Sequence, residues 1–165
     1  MNDEVGNSTR LENMRNAITG NGGLSSVLFN SPNKIDAQAH VITFASGLGL
    51  DGTSVLSTKA DLDNTVNGLT AKGGTHWEKG LEQVSNISTR PGAAKYVVFL
   101  TDGNPGDKGW QKSNVYSCGV LGWQTCDDND SARSVYNASV IAGKQLAKAG
   151  WNILNVGSTC RQRCT

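Results

Sequence analysis

Apolar residues recur at helical spacing near the start of the chain. Leu11, Met14 and Ile18 stand three and four apart, which predicts a helix from Thr9 to Thr19 with one apolar face. Gly20-Asn21-Gly22-Gly23 interrupts it, Leu24, Val27 and Leu28 resume it briefly, and Ser31-Pro32-Asn33 ends it. The β-branched and aromatic run Val41-Ile42-Thr43-Phe44 predicts a short strand. Ser46-Gly47-Leu48-Gly49 follows as loop, and Ser54-Val55-Leu56 reads as an edge-like strand. Leu62, Val66 and Leu69 mark another short helix. After the turn Lys72-Gly73-Gly74-Thr75 a further helix opens, with Leu81 and Val84 inward and Trp77 one turn earlier.

Tyr96 to Leu100 is the strongest strand. It is apolar without alternation, as expected when helices cover both faces of a parallel sheet. Residues 103 to 130 show little periodicity and read as a long loop or insertion. Val135, Ala138, Ala142, Leu146 and Ala149 line a helix that begins near Ser131 and that Gly150 ends. Trp151 to Val156 is the last strand. Strands alternating with helices define an α/β fold with a doubly wound, mostly parallel sheet.

A length of 165 residues suits one domain with a single core, here read as residues 1 to 165 with a cysteine-bearing insertion at about 104 to 130. Hydrophobic residues make up 37% and charged residues 18%, both below the globular average, because 20 glycines put much of the chain in loops. A net charge of +1 gives no electrostatic footprint for nucleic acid or an anionic membrane. No stretch reaches the apolar length of a transmembrane segment, and the polar start Met1-Asn2-Asp3-Glu4-Val5 is not a signal peptide. Sequons stand at Asn7, Asn86 and Asn137.

The four cysteines, Cys118, Cys126, Cys160 and Cys164, change the picture. Cys118 and Cys126 are too far apart for a zinc knuckle, so disulfides are the better reading and point to an oxidising compartment. The short, glycine-bearing segment between them favours a Cys118–Cys126 bridge, with Cys160 and Cys164 paired to each other.

In an open parallel sheet, ligands bind beyond the carboxyl ends of the strands. Thr101-Asp102-Gly103 stands there after the strong strand, and Ser46 ends another strand. Gly73-Gly74-Thr75 precedes a helix N-terminus, which favours anions. Oxygen donors therefore gather on one rim, a set suited to Mg²⁺ or Ca²⁺. Read locally, Thr75 and Glu78 form a Ser/Thr-X-X-Glu helix capping box, and that is the stronger local reading. Asp102 before glycine is a common turn residue, and His76 reads as a loop residue. Asp127, Asp128 and Asp130 lack the glycine and late glutamate of a calcium loop and suit the start of the next helix, with Asp130 as cap. Trp110 and Trp123 either pack the insertion down or form a recognition surface.

Gly73-Gly74-Thr75-His76-Trp77-Glu78-Lys79-Gly80-Leu81 resembles the second metal-site motif of the von Willebrand factor A family, and Val97-Val98-Phe99-Leu100-Thr101-Asp102-Gly103 resembles its third. Val41-Ile42-Thr43-Phe44-Ala45 is similar to the family's second strand. Order and spacing match from about residue 9 to residue 157. The resemblance implies a metal-ion-dependent adhesion site in which Thr75 and Asp102 are ligands of Mg²⁺, Mn²⁺ or Ca²⁺. His76 departs from the Asn often found after this Thr. The family's first motif, Asp-X-Ser-X-Ser, occurs nowhere in the chain. Met1, the run Asn2 to Ser8 and the helix from Thr9 resemble the continuation of that motif in many members of the family. The expectation is thus a truncated domain, lacking the central first strand, with weak or no metal binding of its own.

The function so implied is a binding or adhesion module of a secreted or cell-surface protein, not an enzyme, whose cation would bridge to an acidic side chain of a protein ligand. Two alternatives stand beside it. One is an intracellular member of the same family that assists an ATPase. The other is an enzyme or nucleotide-binding protein on a similar sheet. The latter is disfavoured by the absence of a phosphate-binding glycine loop, a dinucleotide fingerprint or a nucleophile elbow, and by His40 and His76 having no recognisable partner in sequence.

Overall fold

A computed structural model of the chain describes residues 4–5, 8–32, 35–45, 47–101 and 131–157, with the side chains of 4–5 and 131–138 left aside. Ser46, Asp102, the four cysteines, Trp110, Trp123, the Asp127–Asp130 cluster and the sequon at Asn7 lie outside the described residues. The elements in chain order are β1 (Glu4–Val5), β2 (Ser8–Thr9), α1 (Arg10–Thr19), α2 (Leu24–Phe29), β3 (Ile42–Phe44), β4 (Leu48–Asp51), α3 (Lys59–Asn67), α4 (Trp77–Val84), β5 (Lys95–Thr101), α5 (Ser131–Lys148) and β6 (Trp151–Gly157). The fold is mixed α/β with small sheets, one of them a parallel pair. The chain divides into two compact units, one of residues 1–42 and 50–72, the other of residues 43–49 and 73–165.

In the first unit α1, α2 and α3 pack on one another. Helix α1 starts where the sequence allows a cap: the Thr9 hydroxyl accepts from the Glu12 N–H, and the Glu12 carboxylate accepts from the Thr9 N–H. That capping box satisfies two of the orphan donors every helix start leaves. The Gly20–Gly23 break is real, with Gly22 at φ 71, a left-handed turn that separates α1 from α2. Ile18, Leu56, Leu62 and Val66 form the core here. Ser25 is buried here, and the Lys59 ammonium beside the Asp63 carboxylate holds its pKa below the usual aspartate range.

In the second unit β5 and β6 pair in parallel, from Lys95 opposite Trp151 to Thr101 opposite Gly157. The crossover helix α5 returns the chain, and Gly150 at φ 83 closes it with the left-handed residue a helix C-terminus favours. Helices α4 and α5 pack together, with Leu81, Val84, Phe99, Ala142 and Leu146 buried.

Three expectations are corrected. Leu48 and Gly49, expected in a loop, lie in strand β4, which pairs with β3. The Ala45 N–H bonds to the Gly47 carbonyl between the two strands. Gly49 permits the close approach: a Cβ there would stand 2.4 Å from Thr43 Oγ1. Ser54 to Leu56 is no strand; Leu56 makes only an isolated bridge to Ala39. Finally, the described residues do not cover both faces of β5. Burial alternates along it: Phe99 is buried, whereas Tyr96 and Val98 are exposed, as are Leu154 and Val156 on β6. Strand β5 pairs with β6 alone among the described residues, and β3 pairs with β4, so a parallel β3–β5 ladder is not formed.

Candidate functional site

The carboxyl ends of β3 and β5 meet at the amino end of α4, and three contacts locate the junction. The His76 N–H donates to the carbonyl of Ala45, the residue after β3, at 3.0 Å. The Trp77 indole N–H donates to the hydroxyl of Thr101, the last residue of β5, at 3.1 Å. Below them Phe44 of β3 stacks on Phe99 of β5 with centroids 5.3 Å apart and planes 3° from parallel, while Trp77 meets Phe99 edge-on. Gly80 seats α4 on this aromatic layer, since a Cβ there would stand 2.6 Å from Phe44 Cδ1. The ends of β3 and β5 therefore meet at the start of α4, and among the described residues no backbone ladder joins the two strands.

Thr75 stands on that rim, half-buried, one residue before the cap of α4. The capping-box reading of Thr75 and Glu78 is overturned. The N-cap is His76, and its side chain makes no capping hydrogen bond. The tie from the His76 N–H to Ala45 places the helix start one residue later than the motif requires. Thr75 then lies outside capping reach of the first turn, and its hydroxyl is left for other use.

His76 lies in the loop just before α4, as its sequence reading has it, but it is buried there. It and Glu78 are both 0% exposed, with Nδ1 and Oε1 3.3 Å apart. Neither oxygen of Glu78 accepts a hydrogen bond from a described residue. Burial pushes the Glu78 carboxyl above the usual glutamate range; the backbone of its own residue and the neighbouring His76 oppose that shift. The one sequence signal for this pair was two ionisable residues flanking Trp77 at a predicted helix start. Apolar periodicity gives no reason to bury either.

Thr75 suits a neutral oxygen ligand, being on the rim and free of the cap. Asp102, the residue after Thr101, is not described. Among the described residues no group of three or more His, Cys, Asp or Glu side chains could hold a metal ion. A cavity of about 300 Å³ opens between α4 and α5, lined by Leu81, Leu146, Lys95 and Trp151 among others. It lies at the amino ends of β5 and β6, the end opposite the rim. No described helix is long and apolar enough to cross a membrane. No protein-family model, no curated protein and no solved structure matches the chain.

Proposed function

We propose that the chain is a von Willebrand factor A-type binding module carrying a partial divalent-cation site at the start of α4, and that it serves adhesion to a protein partner outside the cell. One observation supports this most: the ends of β3 and β5 converge on the amino end of α4, with Thr75 on the rim and its hydroxyl outside the helix cap. Thr75 would supply one neutral oxygen and Asp102 one charged oxygen to Mg²⁺, Mn²⁺ or Ca²⁺. The ion would offer its open position to an acidic side chain of the partner. Mg²⁺ requires about six oxygens in near-octahedral array and dehydrates reluctantly. Two protein ligands are too few to organise that shell, so the chain by itself binds Mg²⁺ weakly and adheres little.

Calorimetry on two versions tests this reading. One is the chain as it stands. The other is extended upstream by an apolar strand ending in Asp-X-Ser-X-Ser. The extended version should bind Mg²⁺ or Mn²⁺ and lose binding on Asp102→Ala. Tight Mg²⁺ binding by the short chain that survives Asp102→Ala would show that the site is elsewhere.

A further inference from the structure

Thr75 and Asp102 stand on separate segments, and one ion can use both only if those segments are held together. A working site needs its groups within about 0.5 Å of the productive geometry. Hydrogen bonds one step behind the ligands supply that precision. A hydrogen bond does join the two segments here. The Trp77 indole N–H donates to the Thr101 hydroxyl at 3.1 Å. Trp77 is two residues beyond Thr75, and Thr101 immediately precedes Asp102. The same indole meets Phe99 of β5 edge-on, with centroids 5.8 Å apart and planes at 80°. An indole turns about only two side-chain torsions, so a ring held both at its N–H and against Phe99 is a stiff strut. Packing alone does not ask for the hydrogen bond. A phenylalanine would cover Phe99 as well; only the indole N–H crosses to Thr101.

We propose that Trp77 is a positioning residue of the cation site: its indole N–H, by holding Thr101, sets the spacing between the segment of Thr75 and the end of β5 from which Asp102 follows. The inference rests on the adhesion-site reading and adds to it a residue that touches neither the ion nor the partner. Mg²⁺ demands near-octahedral placement of its ligands. A change in that spacing therefore weakens the ion's hold even where every ligand is still present.

Mg²⁺ calorimetry on the full chain with the upstream extension tests this, beside urea unfolding of the same variants without metal. Trp77→Phe keeps an aromatic ring against Phe99 and removes the N–H. Thr101→Val keeps the side chain's size and removes the acceptor, and it carries the test even if Trp77→Phe does not fold. Each should weaken Mg²⁺ binding at least about tenfold, the loss usual for a group that orients a metal ligand. The double variant should bind no more weakly than either single one, because both remove the same bond. Thr101→Ser, which keeps the acceptor, should bind as the unaltered extended chain does. A bond that serves stability alone gives another pattern: a lower unfolding midpoint without metal and an unchanged Mg²⁺ affinity of the folded protein. That pattern, or losses that multiply in the double variant, would overturn the proposal. Mg²⁺ binding that Asp102→Ala abolishes and Trp77→Phe leaves intact would overturn it alone and keep the adhesion-site reading. No Mg²⁺ binding by the unaltered extended chain, or binding that survives Asp102→Ala, would overturn both.

Discussion

Two helices of this protein begin with the same four-residue signature and use it in opposite ways. Thr9-Arg10-Leu11-Glu12 opens α1 and closes a reciprocal capping box. Thr75-His76-Trp77-Glu78 precedes α4 and forms none: the helix starts at Trp77, His76 is the cap, and Glu78 is buried in the first turn. The difference lies in what else holds the chain. At α1 the cap is exposed and local. At α4, His76 is tied to the end of β3 and Trp77 to the end of β5. Tertiary hydrogen bonds move the helix start by one residue, and a motif that would have served stability leaves its hydroxyl on the rim where strand ends meet.

The largest effect separating the two starts should come from His76. His76→Ala removes the group beside a fully buried carboxylate, a change that costs about 3–5 kcal/mol when one member of a buried pair is lost. Urea unfolding measures it. A loss below about 1 kcal/mol, the size of an exposed pair, would mean that Glu78 does not depend on its neighbour. Next, Gly80→Ala places a Cβ against the Phe44 ring, which is itself stacked on Phe99. Overpacking of this kind costs about 1–3 kcal/mol. If α4 is positioned by this aromatic layer, the substitution should also disturb the Trp77 environment, read by fluorescence in a Trp110, Trp123 and Trp151 triple-Phe background.

The cap residues give a smaller and sharper contrast. Thr9→Ala should cost about 1 kcal/mol, as loss of an N-cap does. Thr75→Ala should stay within about 0.5 kcal/mol of no effect, as substitutions away from such features do. Equal losses would mean that both threonines cap.

The smallest effect is a difference in pH slope. Glu12 is held below its ordinary pKa by the Thr9 N–H and hydroxyl, so its contribution is present above the unfolded pKa and lost as pH falls through the folded one. Glu78 is raised by burial, so its contribution is present below the unfolded pKa and lost as pH rises through the folded one. Glu12→Gln and Glu78→Gln should therefore change the pH dependence of the unfolding midpoint in opposite directions. In metal-free protein above the glutamate range, Glu78→Gln should stabilise or be neutral, because it removes a buried charge. Slopes of the same sign would contradict these opposite roles.

Much of the framework was legible because it is local. The three-and-four spacing of Leu11, Met14 and Ile18, the pair Leu62 and Val66, and the run Leu81–Val84 each placed a helix correctly. Tyr96–Leu100 and Trp151–Val156 are strands that pair in parallel, and Gly150 ends α5 as its position implied. The misreadings depend on partners that sequence does not display. Ser46-Gly47-Leu48-Gly49 reads as loop, yet Leu48 and Gly49 begin β4, and Gly49 is what lets the strand lie against Thr43. The uninterrupted apolar run in β5 suggested two covered faces, and the described residues cover only one. At the candidate site the motif singles out Thr75, and the cap expected there is His76 instead. The burial of His76 and Glu78 had no apolar periodicity to announce it.

The central claim is that the hydroxyl of Thr75 is spared from capping for a cation on the rim. The most direct test is the unfolding of Thr75→Ala in the upstream-extended chain, followed with and without Mg²⁺. A spared hydroxyl predicts an unfolding midpoint in metal-free buffer equal to that of the unaltered extended chain, with the Mg²⁺-induced rise in midpoint abolished. A lowered midpoint without metal, together with an intact Mg²⁺-induced rise, would make Thr75 a helix cap and contradict the claim.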